Sequence, residues 1–158
     1  MIQRIQTVYL ALTALLCGVS LCSTIGRFAN ETDIVASFTN FVFRPAEESS
    51  LDLIGPWPFG VLLIVILLLN VMSIFLFNYR MRQLRLVVFS TILLVGYLAA
   101  YAFIVWFYLQ QLAHANVAAH YELAHGAIYP LVCIILNVLA IRGIRKDETL
   151  VRSLDRIR

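Results

Sequence analysis

Four stretches of this 158-residue chain, free of charged side chains but for Arg142 near the end of the last, have lengths that suit a membrane crossing, and little sequence is left once they are set aside. A helix of roughly 20 apolar residues covers a hydrocarbon core of about 30 Å. The runs lie at about 5–25, 59–77, 86–112 and 126–144, the last taking in Arg142 near its end. Composition agrees, with 61% hydrophobic and 13% charged residues and a mean hydropathy of +0.87. Soluble domains sit nearer half apolar and a quarter charged. The expectation is an all-α membrane fold, a four-helix transmembrane bundle in a single domain over 1–158. It has an outer loop at 26–57 and a tail at 145–158, and no room for a separate catalytic domain.

The distribution of charge orients the bundle. Arg4, Arg80, Arg82, Arg85, Arg142, Arg145, Lys146, Arg152, Arg156 and Arg158 fall on one side of the runs, and Arg27 and Arg44 on the other. Cytoplasmic loops carry the excess of Lys and Arg, so both termini are expected in the cytoplasm. Glu31, Asp33, Glu47, Glu48, Asp52 and Glu122 lie on the opposite side. The basic clusters hug span ends, which sets aside a nucleic-acid partner. The MIQR start resembles the head of a signal peptide, but no small-residue cleavage site follows, so 5–25 is read as an uncleaved span. Cys17, Cys22 and Cys133 all fall within the runs, so no disulfide framework braces the outer loops.

The connections carry their own signals. IVASFTNFVF at 34–43 is rich in β-branched and aromatic residues, PAEESS at 45–50 reads as a turn, and SLDLI at 50–54 suits a returning strand. A small periplasmic β-hairpin between the first two helices is expected, against an irregular loop whose aromatics dip into the interface. PWPF at 56–59 opens the second span, since proline is tolerated in a first helical turn. The short link bearing Arg80, Arg82 and Arg85 makes the second and third spans antiparallel neighbours. The third run is longer than the bilayer core and is expected to project outward, with Trp106, Phe107 and Tyr108 in an aromatic belt. AHANVAAHYELAH at 113–125 is alanine-rich and reads as a helical continuation.

No span holds an Asp, Glu, Lys or His between its ends, and the only Arg is Arg142 near the inner end of the fourth; intramembrane charges usually build ion and proton relays. Asn70 and Asn137 are expected to face the interior as intramembrane polar packing, with Ser73, Ser90 and Thr91 at similar depth and Thr7 and Thr13 in the first span. Gly96 and Ala100 form a small-xxx-small pair suited to close helix approach, and Tyr97, Tyr101 and Tyr108 recur at near-helical spacing. His114, His120, Glu122 and His125 have the chemistry of zinc ligands, but on a helix only Glu122 and His125 share a face. No metal and no cofactor is therefore expected. The tail places Leu150, Val151, Leu154 and Ile157 at helical spacing, with Glu148 and Arg152 in a favourable i,i+4 order.

The MIQRIQTVYL start, the NYRMRQLRL link and above all IRGIRKDETLVRSLDRIR resemble the domain of unknown function 4293 family, small four-span membrane proteins of Bacteroidota. The resemblance covers the whole chain. It implies the inner membrane of a Gram-negative cell and supplies no catalytic or binding residues. Besides the lipid bilayer, the expected partner is a membrane or cytoplasmic protein, or anionic lipid, met by Arg80, Arg82, Arg85, Arg145, Lys146, Asp147, Glu148, Arg152, Asp155, Arg156 and Arg158. The expected function is that of a non-enzymatic accessory or scaffold subunit. A small membrane enzyme or lipid-handling protein using the outer histidines is the alternative, and a small transporter or pore lined by Asn70 and Asn137 comes third.

Overall fold

The computed structural model describes residues 2–30, 34–45, 55–76, 79–114 and 120–155, with side chains described for 5–30, 34, 36–44, 55–76, 79–114 and 120–149. Four helices, α1 (Ile2–Cys22), α2 (Trp57–Phe75), α3 (Arg80–His114) and α4 (Ile128–Asp155), are each long and apolar enough to cross a membrane. They run up and down in sequence order, each packing on the next, and α4 closes the ring against α1. Pro58 stands in the first turn of α2, where its missing N–H costs nothing. Tyr79 donates its backbone N–H to the Leu76 carbonyl at 2.9 Å, tightening the link into α3.

At the opposite end from that link, the two long connections join in one antiparallel sheet. Its strands are β1 (Thr24–Ala29), β2 (Ile34–Thr39), β3 (Phe43–Pro45) and β4 (His120–Leu123), in the order β3-β2-β1-β4. The expected hairpin is thus a larger sheet, and the single strand expected over 34–43 is instead two, turned back on itself at Asn40 so that Phe38 pairs with Phe43. The first span ends at Cys22, before Ile25, because a bend at Ser23 turns the chain into β1. The proposed SLDLI strand lies outside the described residues. The helical reading of the second connection is corrected over 120–123. There β1 offers a free edge, pairing Phe28 with Tyr121 and Arg27 with Glu122, and this tertiary pairing outweighs the alanine-rich local preference.

One face of the sheet packs on the side of α3. Phe28, Ala36 and Phe38 meet Tyr101, Val105, Tyr108 and Leu112 in a buried cluster. The Tyr108 ring stands edge-on to Phe28 and Phe38, with centroids 6.1 and 5.9 Å apart. Such pairs add attraction beyond area burial. α3 can serve as this backing because it outruns its neighbours. Its Tyr97 is level with the end of α1, and the helix continues from there to His114, roughly 25 Å further. The recurring tyrosines therefore form a packed aromatic face. Gly96 and Ala100, by contrast, lie exposed on the other side of α3, and a side chain added at Gly96 would meet nothing within 4 Å. That pair does not bring helices together.

Asn40, in the turn after β2, ties the sheet to three helices. Its amide Nδ2 donates to the Ser20 carbonyl near the end of α1 at 2.8 Å, and its Oδ1 accepts the Tyr97 hydroxyl of α3 at 2.8 Å. Its backbone carbonyl accepts the N–H of Gly60, in the first turn of α2, at 3.0 Å. Helix ends carry such orphan carbonyls and N–H groups, and burying them unpaired is costly. Gly126 completes the junction: a Cβ there would stand 2.5 Å from the Thr24 carbonyl oxygen, so only glycine lets α4 enter against β1.

Asn40→Ala is expected to lower unfolding stability by about 2–3 kcal/mol, since two side-chain bonds go and the buried Tyr97 hydroxyl loses its acceptor. Tyr97→Phe should cost about 1 kcal/mol. Thermal unfolding of detergent-purified protein measures both, and equal small losses would remove Asn40 from this central role.

Candidate functional site

The end of the bundle away from the sheet gathers the basic residues, because α3 begins there and α4 leaves there. Arg82 and Arg85 in α3 and Arg142, Arg145 and Lys146 in α4 are exposed. The Arg82 guanidinium lies over the Tyr79 ring, 4.6 Å from its centroid, a contact that steadies the cation without consuming its hydrogen bonds. Arg80 is half-buried and donates from Nη1 to the Asp147 carbonyl oxygen at 3.5 Å.

Asp147 does not belong to the exposed surface on which the sequence reading placed it. It is 8% exposed, and its Oδ2 accepts a hydrogen bond from the Gln6 amide of α1 at 2.7 Å. Gly143, one helical turn earlier on the same face of α4, makes the contact possible. A Cβ at Gly143 would stand 2.9 Å from Gln6 Cγ, so its absence leaves a channel in which the glutamine stem lies. Gln6 and Gly143 escaped the sequence reading, although a glycine four residues before an acid on one helix face was a legible sign of a close neighbour. Glu148 is half-buried. α4 carries on without a break as far as Asp155, so the tail begins as helix. The side chains of Arg152 and Asp155, and Arg156 and Arg158 altogether, lie outside the described residues.

Between the two ends lies a polar layer. Asn70 and Asn137 are both 0% exposed. Ser90 of α3 joins them: its hydroxyl donates to Asn70 Oδ1 at 3.2 Å and accepts from Asn137 Nδ2 at 3.0 Å. Asn70 Nδ2 turns back to the Ile66 carbonyl of its own helix at 2.9 Å. The arrangement links α2, α3 and α4 through neutral groups, and leaves Asn137 Oδ1 and the nearby Ser73 Oγ buried without a hydrogen-bond partner.

On the sheet, Arg27, Glu122 and His120 occupy exposed positions. His120 and Glu122, two apart on β4, share a strand face, with Nε2 and Oε1 3.5 Å apart and 59% and 53% of their side chains exposed. The expected Glu122 and His125 face does not arise, since the segment is a strand. His114 at the end of α3 and His125 in a 3-10 turn are exposed, and among the described residues no three His, Cys, Asp or Glu side chains converge on a metal position. Beneath them the Tyr101 and Tyr121 hydroxyls are hydrogen-bonded, and Tyr101 also reaches the Ile25 carbonyl at 3.2 Å. Burial pushes the Tyr121 phenol pKa above its ordinary value, with the Tyr101 hydroxyl opposing. The group therefore remains a neutral donor at physiological pH.

A family model for a domain of unknown function, DUF4293, matches residues 2–157, and the chain belongs to that family. The comparison with curated proteins finds no match.

Ser90→Ala should cut both amide links of the polar layer and lower stability by about 1 kcal/mol, at roughly 0.6 kcal/mol per interhelical bond. Thermal unfolding in detergent reads this directly. No change would mean that Asn70 and Asn137 find other partners.

Proposed function

We propose that this DUF4293 protein is a small accessory or scaffold subunit of the bacterial inner membrane, non-enzymatic, with both termini in the cytoplasm. It docks a partner protein or anionic lipid through its basic end. The observation that carries this reading is the division of labour at that end. Arg80 and Asp147 are used internally, whereas Arg82, Arg85, Arg145 and Lys146 project outward. Cations at the end of apolar spans attract anionic headgroups and acidic protein surfaces. Support for membrane embedding comes from inverted helix faces. Thr13, Asn70, Ser73, Ser90 and Asn137 are buried, while Val8, Leu15, Leu68, Ile92 and Ile135 are exposed. Water would penalise so large an apolar surface, and hydrocarbon does not. The outer sheet is then periplasmic, because the positive end faces the cytoplasm.

Replacing Arg82, Arg85, Arg145 and Lys146 together by Ala is expected to release a species cross-linked to the wild-type protein in native membranes, without loss of folding. An unchanged cross-linking pattern would contradict docking through this end. The rival reading, chemistry at His120 and Glu122, predicts stoichiometric zinc in the purified protein that is lost on His120→Ala. We expect metal analysis to find only trace zinc.

A further inference from the structure

We propose that Cys17 and Cys133 form a modification site: a thiol pair that hydrogen peroxide converts into a disulfide joining α1 to α4. The two Sγ atoms lie 3.7 Å apart although the residues are 116 positions apart in sequence. Cys133 Sγ also stands 3.7 Å from the Thr13 carbonyl oxygen of α1. The spacing is imposed by the helices on both sides of it. Towards the sheet, the Ser20 hydroxyl donates to the Gly126 carbonyl at 3.3 Å. Towards the basic end, Gln6 fills the channel over Gly143 and bonds to Asp147. The thiols are thus held facing each other across a helix contact closed at either end, with the sulfurs already in contact.

The oxidant is a small neutral one, because the residues are 1% and 0% exposed and a protein disulfide cannot reach them. In the first step the sulfur of one cysteine attacks a peroxide oxygen. An S–O bond forms, the O–O bond breaks, and the thiol proton leaves with the departing oxygen as water, giving a sulfenic acid. In the second step the other sulfur attacks the sulfenic sulfur. The S–S bond forms, the S–O bond breaks, and the hydroxyl departs with the second thiol proton as another water. Two thiols have then supplied the two electrons that reduce one peroxide. Burial makes the first step slow. The held geometry makes the second step effectively intramolecular, so the sulfenic acid does not accumulate. Cys22, exposed at the end of α1, stands apart from this pair.

The test uses the full chain carrying Cys22→Ser, purified in detergent, treated with hydrogen peroxide, then denatured and alkylated. The expected result is joint loss of both remaining alkylatable thiols and an upward shift of the unfolding midpoint by roughly 5–10 °C, as for a cross-link closing a long loop. A reductant should reverse both changes, and Cys17→Ser in the same background should abolish the shift. Full alkylation of both cysteines after peroxide, or oxidation of either one singly to a sulfinic acid, would overturn the proposal.

Discussion

The pairing of β1 with β4 is the constraint on which the architecture rests. β1 follows α1 and β4 precedes α4, so a single ladder joins the two connections that stand at one end of the bundle. Once joined, they cannot lie on opposite sides of any membrane the helices cross. The helices must then alternate in direction, with both chain ends at the far side. Asn40 adds the vertical tie, using one residue to satisfy groups on α1, α2 and α3. The extra length of α3 gives the sheet a surface to pack on, so that a set of short strands acquires a core.

The interior follows a different logic from that of a water-soluble bundle. Apolar contact gives helices no preference for one another over lipid tails, so association depends on close packing and on hydrogen bonds between helices. The structure supplies these at three depths: the Ser20 to Gly126 contact near the sheet, the Asn70, Ser90 and Asn137 layer, and the Gln6 to Asp147 bond at the basic end. Each uses neutral donors. The one buried carboxylate among them, Asp147, stands at the basic end, next to Lys146 and Arg145 on α4.

Much of this was legible from residues alone, for identifiable reasons. Helix number and approximate span positions follow from uncharged length, because hydrocarbon tolerates so little else. The strand expected at 34–43, where β-branched and aromatic residues are dense, forms only over Ile34–Thr39, because the chain turns at Asn40 and returns as β3. What escaped was set by contacts between distant parts of the chain. β4 looks helical in composition and becomes a strand because β1 leaves an edge open. Gly96 and Ala100 match a helix-packing pattern, but which face of α3 meets its neighbours is decided by Tyr97 and Tyr101, which have bonds to make under the sheet. Asp147 stands in sequence among charges that suit an exposed surface. Its burial depends on Gln6, far away on α1.

The functional reading draws on the same division: an occupied interior, a tied outer cap and a set of outward cations at the other end. Its most direct test is sidedness. In a protein without native cysteines, a single Cys at Leu123, which is 62% exposed on β4, and a single Cys at Arg85 on the basic end should be probed with a membrane-impermeant maleimide in intact spheroplasts. The expected result is labelling of the Leu123→Cys protein at once and of the Arg85→Cys protein only after permeabilisation. The reverse order, or labelling of both in sealed spheroplasts, would contradict the placement of the sheet outside and the docking surface inside.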